Sequence, residues 1–464
     1  MLRSPPQGNP RICVIGAGPS GLTTLKNLLA LGLTNAACFD ESDAIGGNWV
    51  FREDRPSVHE TTSIISSKGL SEFEDYPMPA DFPDFPSHRE IRAYFEAYAS
   101  RFGLAPFLRL NQRIESAIRR ADGSWSVRIA APHGCVEETF DYLIVCSGHH
   151  RIPNIPRYPG RFGGEVLHSS AFKRVAPFAN KRVLVVGGGN SACDIAAEIS
   201  HIATRTCLSM RRGYHIFPRK MFGYPIDRLY ATARWLPRLI SRPLFNMILR
   251  VKMGRWEDYG LQPSDSGLME MHPTLNSNIL KALRSRAVIP RVGITRLGER
   301  EIEFVDGSVE AFDVIVWATG FSTKFSFLDD SIVDWDTTKR PPLYLKMMPR
   351  EIANLYFIGL FQPLGCIWRL ADHQARIAAL QIAGYLARPA DLGARIEREM
   401  NSWRFDKSPR HAIEVDYHDF RKELLTHIRT ARTNRNLRLP DSFGARKPVS
   451  SRSTFNRSFP LKGQ

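Results

Sequence analysis

The sequence lacks the features of several large classes of protein. Its 464 residues include seven cysteines and no Cys-x-x-Cys pair, which argues against a disulfide framework, a zinc site and a redox-active dithiol. No apolar run approaches the roughly 20 residues of a membrane-spanning helix. Residues 1–10 also lack the apolar core of a secretory signal. We therefore expect a cytoplasmic protein without a bound metal.

Acidic residues are scarce relative to basic ones. Lys and Arg number 63 against 47 Asp and Glu, which gives a formal net charge of +16. Asp441 is the single acid between Arg429 and Lys462, so residues 431–464 are predicted to form a basic, disordered tail. Charge alone is a weak indicator of nucleic-acid binding. Phosphate-rich cofactors and this tail account for the excess, and no nucleic-acid partner is expected.

Two glycine-rich loops stand out from this background. Each follows a short apolar, strand-like run and precedes a helical pattern, the setting that the dinucleotide-binding fingerprint requires. Their glycines allow a tight turn, close approach of a pyrophosphate, and packing of helix on strand, while the helix N-terminus offers free N–H groups. The predicted phosphate-binding residues are Gly16, Ala17, Gly18, Pro19, Ser20 and Gly21 in the first loop, and Gly187, Gly189, Asn190, Ser191, Ala192, Cys193 and Asp194 in the second.

The two loops belong to a longer internal repeat. The segment 141–148, Asp-Tyr-Leu-Ile-Val-Cys-Ser-Gly, resembles the segment 313–320, Asp-Val-Ile-Val-Trp-Ala-Thr-Gly. Gly16 and Gly187 are 171 positions apart, and Gly148 and Gly320 are 172 apart. This period is far too long for a solenoid repeat. It predicts an α/β fold with two related Rossmann-like domains, the second inserted into the first.

The residues 24 positions after the first glycine of each loop distinguish the two nucleotides. Asp40 follows the first loop at this distance, and an acid there accepts a hydrogen bond from a ribose 2′-hydroxyl but repels a 2′-phosphate. Arg211 and Arg212 follow the second loop, and cations there suit a 2′-phosphate. The first site is therefore expected to hold FAD or NAD, and the second NADP.

Hydrophobic periodicity predicts further elements. Helices are predicted at 21–31, 192–201 and 373–385, strands at 36–40 and 356–359, and hairpin pairs at 124–130 with 134–140 and at 302–305 with 309–312. The stretch 221–260 is rich in Arg and large apolar residues. It is predicted to be helical: a lid or substrate-entry element, a basic surface against an anionic membrane, or an ordinary packed helix pair.

Several short segments resemble one family. The segment 162–172 fits F-x-G-x-x-x-H-x-x-x-[F/Y/W], 45–49 fits G-G-x-W, 318–321 fits A-T-G-[Y/F], and 354–376 matches a C-terminal flavin-domain segment. Together these resemble the flavin-containing monooxygenases and their Baeyer–Villiger relatives, over roughly residues 10–430. The resemblance implies FAD and NADPH as cofactors, with Gly47, Asn48, Trp49, Thr319 and Gly320 among the residues that bind them.

The resemblance also implies domain limits. An FAD-binding domain is expected at 10–165 and 315–430, and an NADPH-binding domain at 166–314 that carries the helical insertion 221–260. Residues 1–9 are expected to be an N-terminal extension.

The chemistry implied by the resemblance is oxygenation of a small molecule by O₂. NADPH reduces FAD, the reduced flavin captures O₂ as a C4a-hydroperoxide, and a soft nucleophile, an amine nitrogen or a sulfide sulfur, attacks its distal oxygen. The flavin carries the difficult chemistry while the protein excludes water and positions the cofactors. We therefore do not expect a catalytic triad.

The candidates nearest this chemistry include one departure from the family pattern. Members of the family have an Asn in the motif N-x-x-K that helps to hold NADP and the hydroperoxide. Here the stretch reads Ile65, Ser66, Ser67, Lys68, and an Ile side chain offers no hydrogen bond. His168 is the remaining candidate, as a general base or as a hydrogen-bonded linker between domains, of which the linker is the preferred interpretation.

Three alternatives remain. A Baeyer–Villiger enzyme, which attacks a ketone, shares nearly every motif, although Phe172-Lys173 differs from the Trp-Pro or Trp-Asp typical of that subclass. An uncoupled NADPH oxidase or a flavoprotein redox sensor would fit the missing Asn. A disulfide reductase is excluded because no cysteine pair is present. A homodimer and a peripheral membrane contact are further expectations.

Overall fold

The computed structural model describes residues 8–233, 238–264, 273–333, 340–363, 365–402 and 412–432. Its helices are α1 (Pro19–Ala30), α2 (Lys68–Ser71), α3 (His88–Arg101), α4 (Asn190–Ile199), α5 (Ile226–Ala233), α6 (Arg238–Met253), α7 (Ser277–Arg284), α8 (Ile367–Ile382), α9 (Leu392–Asn401) and α10 (Tyr417–Arg432). The strands of its larger sheets are β1 (Ile12–Ile15), β2 (Ala36–Phe39), β3 (Leu108–Arg109), β4 (Arg113–Arg119), β5 (Trp125–Ala131), β6 (Gly134–Phe140), β7 (Tyr142–Val145), β8 (Glu165–His168), β9 (Arg182–Val186), β10 (Arg205–Ser209), β11 (Val288–Arg291), β12 (Ile294–Leu297), β13 (Glu301–Phe304), β14 (Val309–Ala311), β15 (Val314–Trp317) and β16 (Leu355–Phe357). The remaining strands have two residues each and pair with one another in two-stranded sheets; they lie at 152–153, 216–217, 220–221, 224–225, 274–275, 321–322, 343–344, 348–349, 362–363 and 414–415.

The first sheet is built around the strand that leads into the first glycine loop. Its five parallel strands lie in the order β16-β7-β1-β2-β3. β1 is central and every residue of it is buried. Because the order of connection reverses at β1, the loop after it opens at the edge where doubly wound sheets bind ligands.

The second sheet repeats this arrangement. Its parallel strands lie in the order β11-β10-β9-β15-β8, with β9 in the centre and the second glycine loop directly after it. In both sheets the central strand lies between the next strand of its unit and the strand that ends the repeat. The mixed α/β architecture with two Rossmann-like units, predicted from the repeat, is confirmed.

The duplication includes a small antiparallel sheet in each unit. β4, β5 and β6 form one before β7, and β12, β13 and β14 form another before β15. The two hairpins predicted from the sequence are the second and third strands of these sheets. Each half of the chain therefore repeats a whole unit of fold, far more than its glycine loop.

The predicted helices begin earlier than their periodicity suggested. α1 starts at Pro19, two residues before the prediction, because proline is well suited to the first turn of a helix. α8 begins at Ile367, six residues before the predicted start, and its first turn includes the buried Trp368. α1 and α8 pack against each other in the apolar core above the first sheet, where nearly the whole of α8 is buried.

The expected limits of the inserted segment need correction. The boundaries at 165/166 and at 314/315 each fall inside a strand, because β8 and β15 pair with each other over their full length in the second sheet. The second sheet therefore runs from residue 165 to residue 317. A short apolar strand carries no sign in its sequence of which of two similar sheets it joins, so the boundaries could not be placed from composition.

The stretch 221–260 is largely helical. A tight hairpin whose tip is Phe222-Gly223, both with positive φ, leads into α5, and α6 follows with Pro243 inside it. Residues 234–237 lie outside the described part, as does the predicted tail from 433 onward, whereas 431–432 end α10. Among the described residues, no helix has both the length and the apolar character needed to cross a membrane.

Candidate functional site

The first glycine loop is a close-packed turn that tolerates no side chain at key points. Gly16 has φ +105°, and a Cβ there would lie 2.7 Å from the carbonyl oxygen of Cys146. A Cβ on Gly21 would lie 1.8 Å from the carbonyl oxygen of Gly16. Gly18 caps the N-terminus of α1 with no side-chain hydrogen bond. The first turn of α1 thus presents its amides at the edge of the sheet, as an anion site requires.

Asp40 braces this loop. Its carboxylate accepts hydrogen bonds from the amides of Ala17, at 2.7 Å, and Ser42, at 2.8 Å. Burial raises the pKa of Asp40, whereas the two amides act in the opposite direction. Each carboxylate oxygen accepts one amide and has lone-pair capacity left. The residue expected to meet a ribose hydroxyl therefore also holds the phosphate loop in shape, a second role that its spacing did not reveal.

The Gly-Gly-x-Trp segment lies directly against the first loop. The amide of Gly46 donates to the carbonyl of Ala17 over 3.0 Å, and a Cβ on Gly47 would lie 3.2 Å from the Cα of Gly18. Gly47 and Asn48 are exposed, whereas Trp49 is half-buried and packs edge-on against Trp368 of α8. The exposed backbone of this segment completes one wall of the first site.

The second glycine loop has the same construction. Gly187 has φ +138°, and a Cβ there would lie 2.3 Å from the carbonyl oxygen of Ala318. Gly189 caps α4 without a side-chain hydrogen bond, and Ala192 and Cys193 are fully buried against the sheet. The ring of Tyr214 lies on Gly188, where a Cβ would come within 2.2 Å of it. Both loops therefore offer uncapped helix N-termini to a phosphate.

Arg211 and Arg212 lie at the carboxyl edge of the second sheet, as the spacing predicted. Arg211 is exposed, and Arg212 is half-buried. A cavity of about 190 Å³ opens beside Arg212 and is also lined by Arg291 and Asp306. Arg291 forms an ion pair with Glu310 at 2.5 Å. The cationic groups that a 2′-phosphate requires are thus present at this edge.

Residues 274–276 also form the second site, and the sequence analysis missed them. The hydroxyl of Thr274 donates to the carbonyl of Gly188 over 2.7 Å, and the amide of Leu275 donates to Oδ1 of Asn190 over 2.9 Å. Asn276 donates to Asp194 at 2.6 Å and caps α7 through Ile279. The helix-cap signal of an Asn before a helical pattern was available, but nothing in the sequence linked it to a loop more than 80 residues away.

In the Ile65–Lys68 stretch, the side chains of Ser66 and Lys68 already have hydrogen-bond partners within the protein. Ile65 is half-buried, and Ser66 is buried with its hydroxyl 2.9 Å from that of Ser71. The ammonium of Lys68 donates to the carbonyls of Pro79, Ala80 and Phe82, at 2.6–3.3 Å. These three bonds use all three of its protons. Lys68 therefore fastens the 79–82 loop, which does not fit the catalytic role expected for it.

His168 is buried and both of its ring nitrogens have protein partners. Nδ1 accepts from the amide of Ser170 at 3.2 Å and lies 2.9 Å from its hydroxyl, and Nε2 lies 3.0 Å from the carbonyl oxygen of Gly320. A backbone amide can only donate, so Nδ1 is the acceptor and Nε2 carries the proton. Burial lowers the pKa of His168. The ring is thus a neutral connector, which agrees with the linker interpretation.

Thr319 and Gly320 lie just beyond β15. The hydroxyl of Thr319 donates to the carbonyl of Asn154, and the carbonyl of Gly320 accepts from the amide of Asn154 as well as from His168. This turn joins the end of the second sheet to the strand pair 152–153 with 321–322. It lies where the chain passes between the two units.

The residues present fit two dinucleotides. Each glycine loop has backbone positions that a Cβ would fill, an uncapped helix N-terminus, and a distinguishing side chain at the end of the following strand. Among the described residues, no group of three or more His, Cys, Asp or Glu side chains could hold a metal. Fold and site together define an oxidoreductase with two dinucleotide-binding units, of the kind that contains a flavin.

Comparison with known proteins identifies the family. A profile of the flavin-binding monooxygenase-like family matches residues 9–445. Dimethylaniline monooxygenase (N-oxide-forming) 2 of Mus musculus is 36% identical over 445 residues, with 90% of this chain and 82% of the relative covered. The chain therefore belongs to the flavin-binding monooxygenase-like family. It is a flavoprotein monooxygenase that uses FAD and NADPH.

Solved structures share the fold. S-allyl-L-cysteine S-oxygenase from Allium sativum superimposes with a TM-score of 0.68 at 20% identity, covering 90% of this chain and 88% of the other. Cyclohexanone monooxygenase from Rhodococcus sp. Phi1 bound to NADP⁺ gives a TM-score of 0.67 at 17% identity, with 91% and 98% covered. At these identities the likeness establishes the architecture, which agrees with the two sheets described above.

Proposed function

We propose that the chain oxygenates a soft nucleophile, an amine nitrogen or a sulfide sulfur, with one atom of O₂. The observation that carries this proposal is the 36% identity, over 90% of the chain, to an enzyme named as N-oxide-forming. The S-oxygenase of Allium sativum supports the same chemistry at the level of fold alone. Substrate, O₂, NADPH and a proton give the oxide, water and NADP⁺.

We assign FAD to the first sheet and NADPH to the second. Asp40, which suits a free ribose hydroxyl, supports the first assignment. Arg211 and Arg212 at the edge of the second sheet support the other, since guanidinium groups suit a 2′-phosphate. Bound FAD supplies the capacity to accept hydride and to activate O₂. The residues of this chain bind, orient and shield the cofactors, and His168 holds the Gly320 turn between the two sheets.

Oxygen-isotope labelling tests the reaction. The FAD-loaded protein is supplied with NADPH, ¹⁸O₂ and one of three substrates: dimethylaniline, a thioether or a ketone. The masses of the products are then measured by mass spectrometry. We expect an N-oxide or sulfoxide that contains one ¹⁸O atom. An ester or lactone from the ketone, with no oxide, would instead favour the Baeyer–Villiger alternative. Release of H₂O₂ equal to the NADPH consumed would contradict both.

A pair of glycine variants tests the assignment of nucleotides. Gly16→Ala places a Cβ against the Cys146 carbonyl, and Gly187→Ala places one against the Ala318 carbonyl. Since both glycines have positive φ, each change distorts its own loop. We expect Gly16→Ala to lose FAD and Gly187→Ala to keep FAD but lose NADP⁺ binding by calorimetry. The opposite pattern would exchange the two sites.

Among the alternatives, partial uncoupling, in which NADPH is oxidised without oxygenation of a substrate, is supported by one residue. Ile65 occupies the position of the family's Asn and cannot donate a hydrogen bond. Ser66 is buried and bonded to Ser71, which leaves its hydroxyl engaged. Some loss of NADPH equivalents as H₂O₂ is therefore part of the proposal, and it is measured in the same assay.

A peripheral contact with an anionic membrane is proposed for the basic insertion. Phe222 and Tyr224 at the hairpin tip, and Met247 and Val251 on α6, are each more than half exposed. Residues 221–260 contain seven Lys or Arg and three acids, Asp227, Glu257 and Asp258. Exposed apolar groups set among cations are the pattern of a protein that lies on a bilayer surface. Apart from this contact, the protein is expected in the cytoplasm. Light scattering tests the separate expectation of a homodimer.

Vesicle sedimentation tests this contact. The full chain is mixed with phosphatidylcholine vesicles that contain or lack phosphatidylglycerol. We expect binding to the anionic vesicles that falls in the double variant Phe222→Ser, Val251→Ser. The matched control is Val305→Ser, Val309→Ser, two exposed valines near the turn between β13 and β14. Equal binding by both double variants would contradict a role for the insertion.

A further inference from the structure

A loop of the first unit lies between the two glycine loops. We call residues 57–67 the bridging loop. At its start, the amide of Val58 donates to the carbonyl of Asn48 over 3.2 Å, and the neighbouring Gly47 lies against Gly18 of the first glycine loop. The bridging loop is thus attached to the wall of the first site, and Ile65 lies within it.

The other side of the bridging loop faces α4, the helix that begins at the second glycine loop. α4 carries two carboxylates one turn apart, Asp194 and Glu198. The hydroxyl of Thr61 donates to Glu198. Ser63 and Asp194 are joined through a third residue, Arg219. A helix whose N-terminus receives a phosphate thus contacts a loop that touches the other nucleotide site.

Arg219 makes the contacts that complete this connection. One terminal nitrogen of its guanidinium donates to the hydroxyl of Ser63 at 2.6 Å, and the other lies 3.3 Å from Oδ1 of Asp194. Its Nε donates to the carbonyl of Leu275 at 3.4 Å, and its own amide donates to the hydroxyl of Ser277 at 3.0 Å. A planar guanidinium can serve several acceptors in fixed directions, which a lysine ammonium cannot do.

The environment of Asp194 favours this geometry. Burial raises the pKa of Asp194 to about 6, while Arg219 acts to lower it. Asn276, which belongs to the segment that covers the second glycine loop, donates to the same oxygen at 2.6 Å. A partly buried carboxylate with a cation on one side and an amide on the other is held in one position.

We propose that Arg219 is a positioning residue that transmits the ordering of α4 by bound NADPH to the bridging loop beside the flavin. The route runs from Asp194 through Arg219 to Ser63, and from the bridging loop through Asn48 to the first glycine loop. Hydrogen bonds join Asp194, Arg219 and Ser63 at one end of the route, and Val58 with Asn48 and Gly46 with Ala17 at the other. The backbone of the bridging loop connects the two ends, so the contacts form one continuous physical connection, as coupling between sites needs. The proposal rests on the assignment of NADPH to the second sheet and FAD to the first.

Hydrogen exchange of the FAD-loaded protein, with and without NADP⁺, tests the route. In the wild type, NADP⁺ slows exchange both in α4 and in the bridging loop. In Arg219→Ala, slowing persists in α4 and is lost in the bridging loop, and Arg219→Lys restores part of it. The matched control is Lys220→Ala, which removes the neighbouring 2.7 Å ion pair with Asp84 between the two units but touches neither Ser63 nor Asp194.

Rapid kinetics without oxygen provide a second readout. With saturating NADPH, we expect the limiting rate of flavin reduction to fall about tenfold in Arg219→Ala, because small misplacements of reacting groups cost large factors. The dissociation constant for NADPH stays nearly unchanged. Ser63→Ala slows reduction in the same direction, and the double variant is no slower than Arg219→Ala alone, since both changes break one connection.

Several results would overturn the proposal. They are retention of loop protection in Arg219→Ala, equal effects of Arg219→Ala and Lys220→Ala, or additive effects of Ser63→Ala and Arg219→Ala. Loss of NADP⁺ protection in α4 as well would make Arg219 part of the nucleotide site itself. Neither readout requires a substrate to be oxygenated, so failure of the proposed N- or S-oxygenation is detected separately.

Discussion

The imidazole of His168 donates a hydrogen bond from Nε2 to the carbonyl oxygen of Gly320, over 3.0 Å. These residues are 152 positions apart in sequence. His168 ends β8, and Gly320 follows three residues after the end of β15, the strand that pairs with β8 in the second sheet. The bond closes the turn through which the chain leaves the second sheet. His168 therefore positions the backbone, because both of its ring nitrogens have protein partners.

Replacement of His168 separates positioning from acid–base chemistry. Gln can place an amide donor near the position of Nε2, whereas Ala leaves the Gly320 carbonyl and the Ser170 amide with one partner fewer. We expect His168→Gln to keep most of the activity and His168→Ala to lose about 1–3 kcal/mol of stability. Urea unfolding and steady-state rates measure these effects. A large loss of kcat in His168→Gln, with both cofactors bound, would restore the general-base role.

The lowered pKa of His168 predicts a pH dependence of stability. Because burial depresses the folded-state pKa below the unfolded value of about 6.5, the unfolded chain takes up a proton first as the pH falls. His168 therefore contributes stability above the unfolded pKa, and this contribution is lost as the pH falls toward the folded pKa. The wild type should lose more stability between neutral and mildly acidic pH than His168→Gln. Identical pH profiles would show that the ring titrates normally.

Arg211 is expected to discriminate between NADPH and NADH. It is exposed at the edge of the second sheet, and a charged hydrogen bond to a phosphate contributes about 1.5–3 kcal/mol. Arg211→Ala should raise KM for NADPH by roughly 10- to 100-fold and leave KM for NADH nearly unchanged. Arg212→Ala, made in parallel, shows how the two cations share the phosphate. An equal effect on both nucleotides would remove the 2′-phosphate role.

Ile65 is proposed to lower the yield of product per NADPH. Ile65→Asn places a hydrogen-bonding side chain at the position of the family's Asn, and a net gain of about 1 kcal/mol corresponds to roughly a fivefold fall in the ratio of H₂O₂ released to product formed. Ile65→Leu is the control, since it keeps an apolar side chain of the same size. Peroxide and product are measured together in the presence of substrate. An unchanged ratio would show that the Asn position does not limit coupling in this chain.

A buried charge network fastens α1 to α8. Asp372 accepts from Lys26 at 2.6 Å and from Asn27 at 2.9 Å, and it pairs with Arg376 at 2.9 Å. The two cations hold the pKa of Asp372 well below its usual range, in spite of burial. Asp372→Asn leaves Lys26 and Arg376 with Asp75 as their remaining carboxylate partner. Loss of the buried charge should cost about 3 kcal/mol in unfolding free energy, the lower end of the range for breaking a buried ion pair.

The control for this variant is an exposed carboxylate. Asp391 pairs with Arg395 on the surface of the same half of the chain, and exposed pairs contribute little. Asp391→Asn should therefore leave the denaturation midpoint nearly unchanged. If Asp372→Asn were equally mild, the network would not hold α1 and the glycine loop before it in place.

The sequence by itself determined the two glycine loops, the two Rossmann-like units around them and the family. These features are local. A turn with positive φ at Gly16 or Gly187 favours glycine whatever surrounds it, and apolar strands can be recognised from their composition. The spacing to Asp40 and Arg211 is equally local, because one strand and one helix separate each from its loop.

Only the tertiary structure decided what the remaining side chains do. Lys68 proved to fasten a loop, Asp40 to brace one, and Arg219 to join the two units, because a hydrogen bond depends on which groups the fold brings within about 3 Å. Arg219 and Ser63 are 156 positions apart, and no periodicity or spacing relates them. The predicted domain boundaries cut through β8 and β15 for a similar reason. Short apolar strands suit either sheet, and the pairing of these two strands is a long-range contact.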